Sequence, residues 1–330
     1  MKNGKGKIIY HGALAPLQEA CKAAGWAYVN DLMSVKKGRF RKIGIALRHA
    51  GLLLKIRTFS SKKAVLIRDF SNIPLAFVFP FLPKALKNRL FFVVNHNLQW
   101  ALGGGAQRIA FFRLARQGCR FCFFEQVPSE LLAEWGLNPA RNMALPHPVG
   151  KTDWKRERKG GVETIGVVGE YRSEKGLDEL LEHLQPLSGR YRILLAIPNL
   201  DDFSRLSPHG DASWFDRVDT GSFEAYQQAI AACDVVVLNH AKKEYGWRPS
   251  GLIADAASAR VPVLARGLPV LSVQLSEPVI LGACFQELSD LSTCIEAISE
   301  TLKNGGYDFS AYQVARSGSS LARYLEEISL

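Results

Sequence analysis

The chain has 330 residues, 47% hydrophobic and 22% charged, with a net charge of +11. That length and balance suit a soluble globular protein of about two domains and exclude a chain made of repeats or low-complexity tracts. Six scattered cysteines fit a reduced, cytoplasmic chain, and no apolar run reaches the ~18 residues that a bilayer-spanning helix needs.

The charge is unevenly spread. Residues 1–150 carry +17 and residues 151–330 carry −6. A basic half joined to an acidic half predicts two domains with different partners. The basic half suits anionic lipid headgroups, nucleic acid or an acidic sugar acceptor. No RNA- or DNA-reading motif accompanies the charge, so nucleic acid is not the expected partner.

The N-terminus, MKNGKGKIIYHGALAPL, has too short an apolar run for a signal peptide. Residues 7–10 read as a strand, 17–24 as a helix and 26–29 as a second strand. This βαβ rhythm predicts a parallel sheet. The first turn, His11-Gly-Ala, lacks G-x-G-x-x-G and so argues against a nicotinamide or flavin domain. Residues 36–59 (KKGRFRKIGIALRHAGLLLKIRTF) are basic and amphipathic. Ile43, Ala46, Leu47, Ala50, Leu53 and Leu54 are expected to line one face. Two readings stand: that face packs into the core beneath a solvated basic face, or the helix rests on an anionic membrane surface.

Residues 64–67 read as a strand. The apolar run 73–83 is too short to span a bilayer and is broken by Pro80. Residues 85–89 read as the tail of a helix, and Leu90–Val94 as a buried strand. That strand delivers Asn95-His96-Asn97 to its carboxyl end, where ligands bind in open α/β sheets. His96 is therefore a candidate for chemistry. Gly103-Gly-Gly105 reads as a backbone-rich loop without the Lys and spacing of a P-loop. Residues 106–116 read as a helix and Arg120–Phe124 as a strand. Cys119 and Cys122 form a C-x-x-C there, with no second pair to complete a zinc site. A short helix at 131–135, a Pro-punctuated crossing at 143–148 and a charged linker at 151–161 follow. The domain boundary is expected at this linker, giving domains of 1–150 and 151–330.

The second half restarts the rhythm with strands at Thr164–Val168, Arg192–Ile197 and 234–238, and helices at 177–187 and 223–232. The stretch YGWRPSGLIADAASARVPVL (245–264) then reads as loop, helix and strand. Pro249 suits the turn before a helix, and Ser250 is an N-cap type. A helix opening at Ser250 and Gly251 presents free backbone N–H groups, which attract phosphates. Arg248 adds a cationic fork, and Asp255 lies one turn further in. An ordinary capped helix followed by a core strand is the plainer alternative. A helix at 291–302 and a helical end from 309 complete the chain.

Four motifs, in order, carry a family likeness. They are VVNHN (93–97) with LPHPV (145–149), VGEYRSEKGLDELL (168–181), CDVVVL (233–238) and RPSGLIADAASARVPVLA (248–265). Together they resemble the family-4 glycosyltransferases of the GT-B fold, well over 145–300 and thinly over 1–90. The resemblance implies an α/β architecture of two Rossmann-like, doubly wound parallel-sheet domains facing across a cleft. The N-terminal one would take the acceptor and the C-terminal one the nucleotide sugar, with the last helix crossing back. It also implies a retaining, metal-independent transfer from a UDP- or GDP-linked donor, which is a substrate; no cofactor is expected. The absence of a D-x-D motif agrees.

In that likeness Ser250 and Gly251 hold the donor diphosphate through backbone N–H groups. Gly169, Arg248 and Leu252 also line the donor, and Asp255 accepts from its ribose. Lys175 neutralises the leaving diphosphate, and His96 serves the sugar or acceptor. The chain departs from the family at three points. Trp247 stands near where an acid is usual, with Glu244 three residues earlier. Glu170 replaces an Arg, for which Arg172 is the substitute. Asp255 replaces a Glu. Two functions follow as expectations. One is a transferase acting on a cell-envelope glycan or lipid-linked acceptor, cytoplasmic and peripheral on the inner face of the membrane. The other is a non-catalytic nucleotide- or glycan-binding protein on the same fold.

Overall fold

The computed structural model describes residues 14–31, 40–55, 62–155, 160–198 and 213–328. The expected strand at 7–10, the His11 turn, both ends of the basic stretch and part of the charged linker lie outside them.

In chain order the first elements are α1 (Leu14–Ala23), β1 (Ala27–Asp31), α2 (Arg41–Leu54), β2 (Val65–Asp69), α3 (Asn72–Val78), β3 (Leu90–Val94), α4 (Asn97–Leu102), α5 (Gly105–Arg116), β4 (Arg120–Phe124) and β5 (Met143–Leu145). The strands form one parallel sheet in the order β1-β2-β3-β4-β5. All five residues of β3 are buried. Such continuous apolar runs belong to strands covered on both faces. Side chains alternate between the faces. Val65, Ile67, Phe92, Val94, Phe121 and Phe123 enter one core, and Leu66, Phe91, Val93, Cys122 and Phe124 the other. Cys119 belongs to the first of these cores and Cys122 to the second, so the C-x-x-C reflects strand packing. Burial raises the pKa of both thiols.

The second series is β6 (Thr164–Val168), α6 (Leu177–Leu184), β7 (Arg192–Ile197), β8 (Asp216–Asp219), α7 (Phe223–Ala231), β9 (Val235–Leu238), α8 (Gly251–Ser258), β10 (Val263–Arg266), α9 (Pro269–Ser276), β11 (Gly282–Phe285), α10 (Leu291–Lys303), α11 (Phe309–Ala315) and α12 (Gly318–Glu326). Six parallel strands pair in the order β11-β10-β9-β6-β7-β8. The inner strands β6 and β9 are wholly buried. Asp234, just before β9, is a structural acid. Its Oδ2 accepts the backbone N–H groups of Glu163 at 3.0 Å and Thr164 at 2.8 Å.

The chain divides into two compact units. The first comprises the described parts of 16–146 with 247–249 and 318–328; the second comprises those of 147–246 and 250–317 with Leu14 and Ala15. Helix α12 thus belongs with the first sheet. Leu321, Ala322 and Leu325 pack with Leu17, Phe91 and Val93. Among the described residues no helix is long and apolar enough to cross a membrane.

The expectation for the basic helix is corrected in one respect. Ile43, Ala46, Leu47, Ala50 and Leu54 are exposed, and the buried side of α2 is Ile45, His49 and Leu52. His49 explains the choice. Its Nε2 accepts the Ser71 backbone N–H at 3.0 Å, which leaves Nδ1 to donate to the Ile45 carbonyl at 2.7 Å. With both ring nitrogens satisfied, the imidazole is a stable buried group and anchors that side inward. The short strands β5, β8 and β11 and the helices α3, α4 and α9 have no counterpart in the expected elements.

Because Leu321 and Leu325 are fully buried, truncating either to Ala is expected to destabilise the first unit by about 2–5 kcal/mol. Urea unfolding of the full chain checks this; a loss under about 1 kcal/mol for both would mean that α12 contributes no core.

Candidate functional site

The site grows from two neighbouring strand ends in the second unit. Strand β6 stops at Val168, and Gly169 turns the chain at φ 118°. Its N–H reaches the Ala196 carbonyl at 2.9 Å, which finishes the sheet pairing. A Cβ on Gly169 would lie 2.6 Å from Lys175 Nζ, so the missing side chain is what lets the ammonium lie against the backbone. Lys175 closes a single 3-10 turn, Ser173–Lys175, and Gly176 follows in the left-handed conformation at φ 53°. A Cβ there would stand 2.7 Å from Asn239 Nδ2 and 3.0 Å from the Asn239 carbonyl. Both geometry and space therefore demand glycine.

Strand β9 supplies the other side. Just past its end, Asn239 donates through Nδ2 to the Gly176 carbonyl at 3.0 Å and to Glu179 Oε2 at 3.3 Å. His240 is buried and stacks on Tyr245 with ring centroids 3.8 Å apart. Its Nε2 lies 3.4 Å from Ser250 Oγ. One concavity is lined by Gly169, Glu170, Lys175, Asn239 and His240 together with the apolar ends of the strands. Asn239 and His240 were missed in the sequence. The signal was present: a polar pair directly after an apolar parallel strand, as at Asn95-His96.

Helix α8 begins as expected, with one correction. Ser250 is not a free amide. Its N–H donates to Gln274 Oε1 at 2.9 Å, and its carbonyl accepts from Gln274 Nε2 at 3.0 Å. Gln274 is fully buried on α9, and an uncharged amide there satisfies both backbone groups of the N-cap residue. The open end of the helix therefore starts at Gly251. Gly251 is exposed, and nothing lies within 4 Å of where its Cβ would be. The Ser250 hydroxyl makes no capping bond, so it does not occupy the first N–H groups of the helix. Leu252 is buried in the core, so only its backbone is suited to a ligand.

Asp255 lies one turn on and accepts from the Tyr226 hydroxyl at 2.9 Å. Desolvation pushes its carboxyl from 3.8 up to about 6, while the Tyr226 hydrogen bond pulls the other way. Arg172 is already compensated. It pairs with Glu170 at 2.5 Å and Glu174 at 3.4 Å. Arg172 is thus tied to the loop's own acids, and Lys175 lies beside the Gly169 turn. Trp247 meets Trp135 edge-on, with centroids 4.9 Å apart, and packs with the first unit's core. An indole in that apolar setting cannot replace a carboxylate. Arg248 lies half-buried in the same short segment.

His96 belongs to the first unit. It stands half-buried just past β3, stacked on Trp100 with centroids 5.5 Å apart. Asn97 beside it is buried, donating to the Phe70 carbonyl at 2.9 Å and to Asn72 Oδ1 at 3.0 Å. The Asn97 bonds fix the loop that presents His96.

The chain matches no known family profile and no curated protein. Solved structures do resemble it. HepE from Anabaena in complex with UDP-glucose superposes with a TM-score of 0.64 at 13% identity, covering 99% of this chain and 97% of that one. An E. coli trehalose-6-phosphate protein bound with UDP-2-fluoro glucose gives 0.61 at 12% identity, covering 99% and 95%. The GtfA/B complex gives 0.55 at 9% identity; the alignment covers 86% of this chain but only 60% of that one. At such identities the likeness defines the architecture: two parallel-sheet α/β domains of the GT-B type.

Two outcomes test this geometry. The Asp255 carboxyl is raised on folding, so the stability tied to its neutral form is complete below pH ~4 and lost as pH climbs through ~6. Asp255→Asn keeps an acceptor for Tyr226 and cannot ionise. It should melt with the wild type at pH 4 and above it at pH 8, by a margin on the order of 3 kcal/mol. Equal melting at both pH values would show that the carboxyl is not desolvated. Gly176→Ala should cost at least about 1–2 kcal/mol from the left-handed backbone alone, read by thermal unfolding.

Proposed function

We propose that the protein is a glycosyltransferase that takes a sugar from a UDP- or GDP-linked donor. One observation carries this reading: Lys175, packed on the Gly169 turn, belongs to the same unit as the open start of α8 at Gly251. Nucleoside diphosphate is the leaving group of such a transfer, and its growing charge needs fixed positive charge and oriented N–H groups. In this reading Lys175 meets the diphosphate, and the N–H groups of Gly251 and Leu252 hold it. Arg248 adds charge, and Asp255 accepts from the ribose. His96 is assigned to the sugar or acceptor. The solved relatives named above include complexes with UDP-glucose and UDP-2-fluoro glucose, which supports a uridine donor. Transfer with retention and without a metal, to a cell-envelope glycan or lipid-linked acceptor, is the finer form of the proposal and rests on the motif likeness.

Specific observations favour a second reading, a non-catalytic binder. Trp247 is locked in apolar packing, and Arg172 is neutralised by Glu170 and Glu174. Turnover separates the two. Slow hydrolysis of one nucleotide sugar without acceptor marks the enzyme; saturable binding with no hydrolysis marks the binder.

UDP or GDP should raise the melting temperature, corresponding to about 2.7 kcal/mol at a hundredfold excess over Kd. Lys175→Ala should weaken that binding roughly 10- to 100-fold, the scale of a charge-assisted hydrogen bond. No shift with any nucleoside diphosphate, or an unchanged Kd in the variant, would remove the basis of the assignment.

A further inference from the structure

We propose that α2 docks the first unit onto an anionic bilayer through the helix side opposite its core contact. Phe40 just precedes α2, and Phe40, Ile43, Leu47, Ala50 and Leu54 recur every three or four residues. At ~100° per residue they form one stripe. Ile45, His49 and Leu52 form the buried stripe on the other side. The outward stripe is strongly exposed: Phe40 70%, Ile43 57%, Leu47 66% and Leu54 85%. Scattered exposed apolar residues need no explanation, but a continuous helical stripe of them does. Helix α3 packs beside α2, and Phe77 on it and Phe81 just beyond it are also exposed.

Charge decides what covers the stripe. Arg41, Arg48 and Lys55 are spaced by seven and lie on one flank of the helix, between the outward and the buried stripes, and Lys42 lies on the other flank. Residues 40–55 contain no Asp or Glu. From residue 40 to residue 116 the sequence holds 14 Lys or Arg and one acid, Asp69. Asp69 is held by Asn95 Nδ2 at 3.1 Å. A second copy seated on this stripe would bring basic edges together with no acid between them. Anionic headgroups offer the complementary charge, and the acyl boundary accepts the Phe and Leu side chains. This inference does not depend on the transferase reading, because docking needs no nucleotide.

The test is sedimentation of the full chain with phosphatidylcholine vesicles and with vesicles containing phosphatidylglycerol, at low and high salt. The wild type should pellet with the anionic vesicles at least about tenfold better, and lose that advantage as salt shortens the screening length. Leu47→Glu with Leu54→Glu should abolish binding, and Arg41→Glu with Arg48→Glu should weaken it about tenfold or more. All four residues are exposed, so both pairs should melt with the wild type. Equal binding to neutral vesicles, no binding to either kind, or undiminished binding by both variant pairs would overturn the proposal. So would a solution dimer that the Leu47/Leu54 pair dissolves, because the stripe would then belong to a second copy.

Discussion

The bond from Asn239 Nδ2 to the Gly176 carbonyl holds the second unit's site together. It joins the loop after β6 to the end of β9, two strands that are neighbours in space and far apart in sequence. Gly176 can sit there only as glycine, in the left-handed backbone region with Asn239 against its Cα. Once that contact is made, the turn Ser173–Lys175 is placed, and Lys175 comes to rest against Gly169. Ala241 N–H closes the same join from the other side, on the Glu174 carbonyl at 2.9 Å. The turn that carries the cation is therefore positioned by backbone geometry.

Around this point several polar groups of the site are held by bonds from neighbouring elements. Gln274 holds both backbone groups of Ser250 and so fixes where α8 begins. Tyr312 in turn donates its hydroxyl to the Gln274 carbonyl at 2.8 Å. Tyr226 orients Asp255. A site held this way reorganises little when charge develops in it, which is the condition for electrostatic stabilisation of a leaving group. The residues that depart from the motif likeness sit outside this frame. Trp247 packs with the first unit's core, and the Glu170–Arg172–Glu174 group is internally neutral. The Lys175 turn and the start of α8 are held without them.

The two units use their buried sheets differently. In the second, the strand ends deliver Gly169 and Asn239-His240 to a concavity. In the first, they deliver Asp69 and Asn95-His96, while the helical surface carries the basic charge. His49 and the α2 stripe show the same economy of structure. One imidazole, bonded at both nitrogens, fixes which side of the helix faces inward. The more apolar side is thereby left outside.

The sequence by itself determined the architecture and pointed to a candidate site. Runs such as Leu90–Val94, Thr164–Val168 and Arg192–Ile197 are apolar from end to end, so they were legible as buried parallel strands. Motif order then pointed to Gly169, Lys175, Gly251 and Asp255. Helix periodicity showed one apolar stripe of α2 but not the Ile45, His49 and Leu52 side that faces the core, because that depended on Ser71 meeting His49 across a gap of 22 residues. The strands β5, β8 and β11 were illegible for a similar reason: each is three or four residues long and is defined by its neighbour's pairing rather than by its own pattern. Only the tertiary structure showed that Gln274 occupies the Ser250 amide, that Arg172 is neutralised, that Trp247 joins the first unit and that His240 stands beside Ser250. Periodicity is a property of neighbouring residues; hydrogen-bond partners and charge compensation are decided by residues that meet only when the chain has folded.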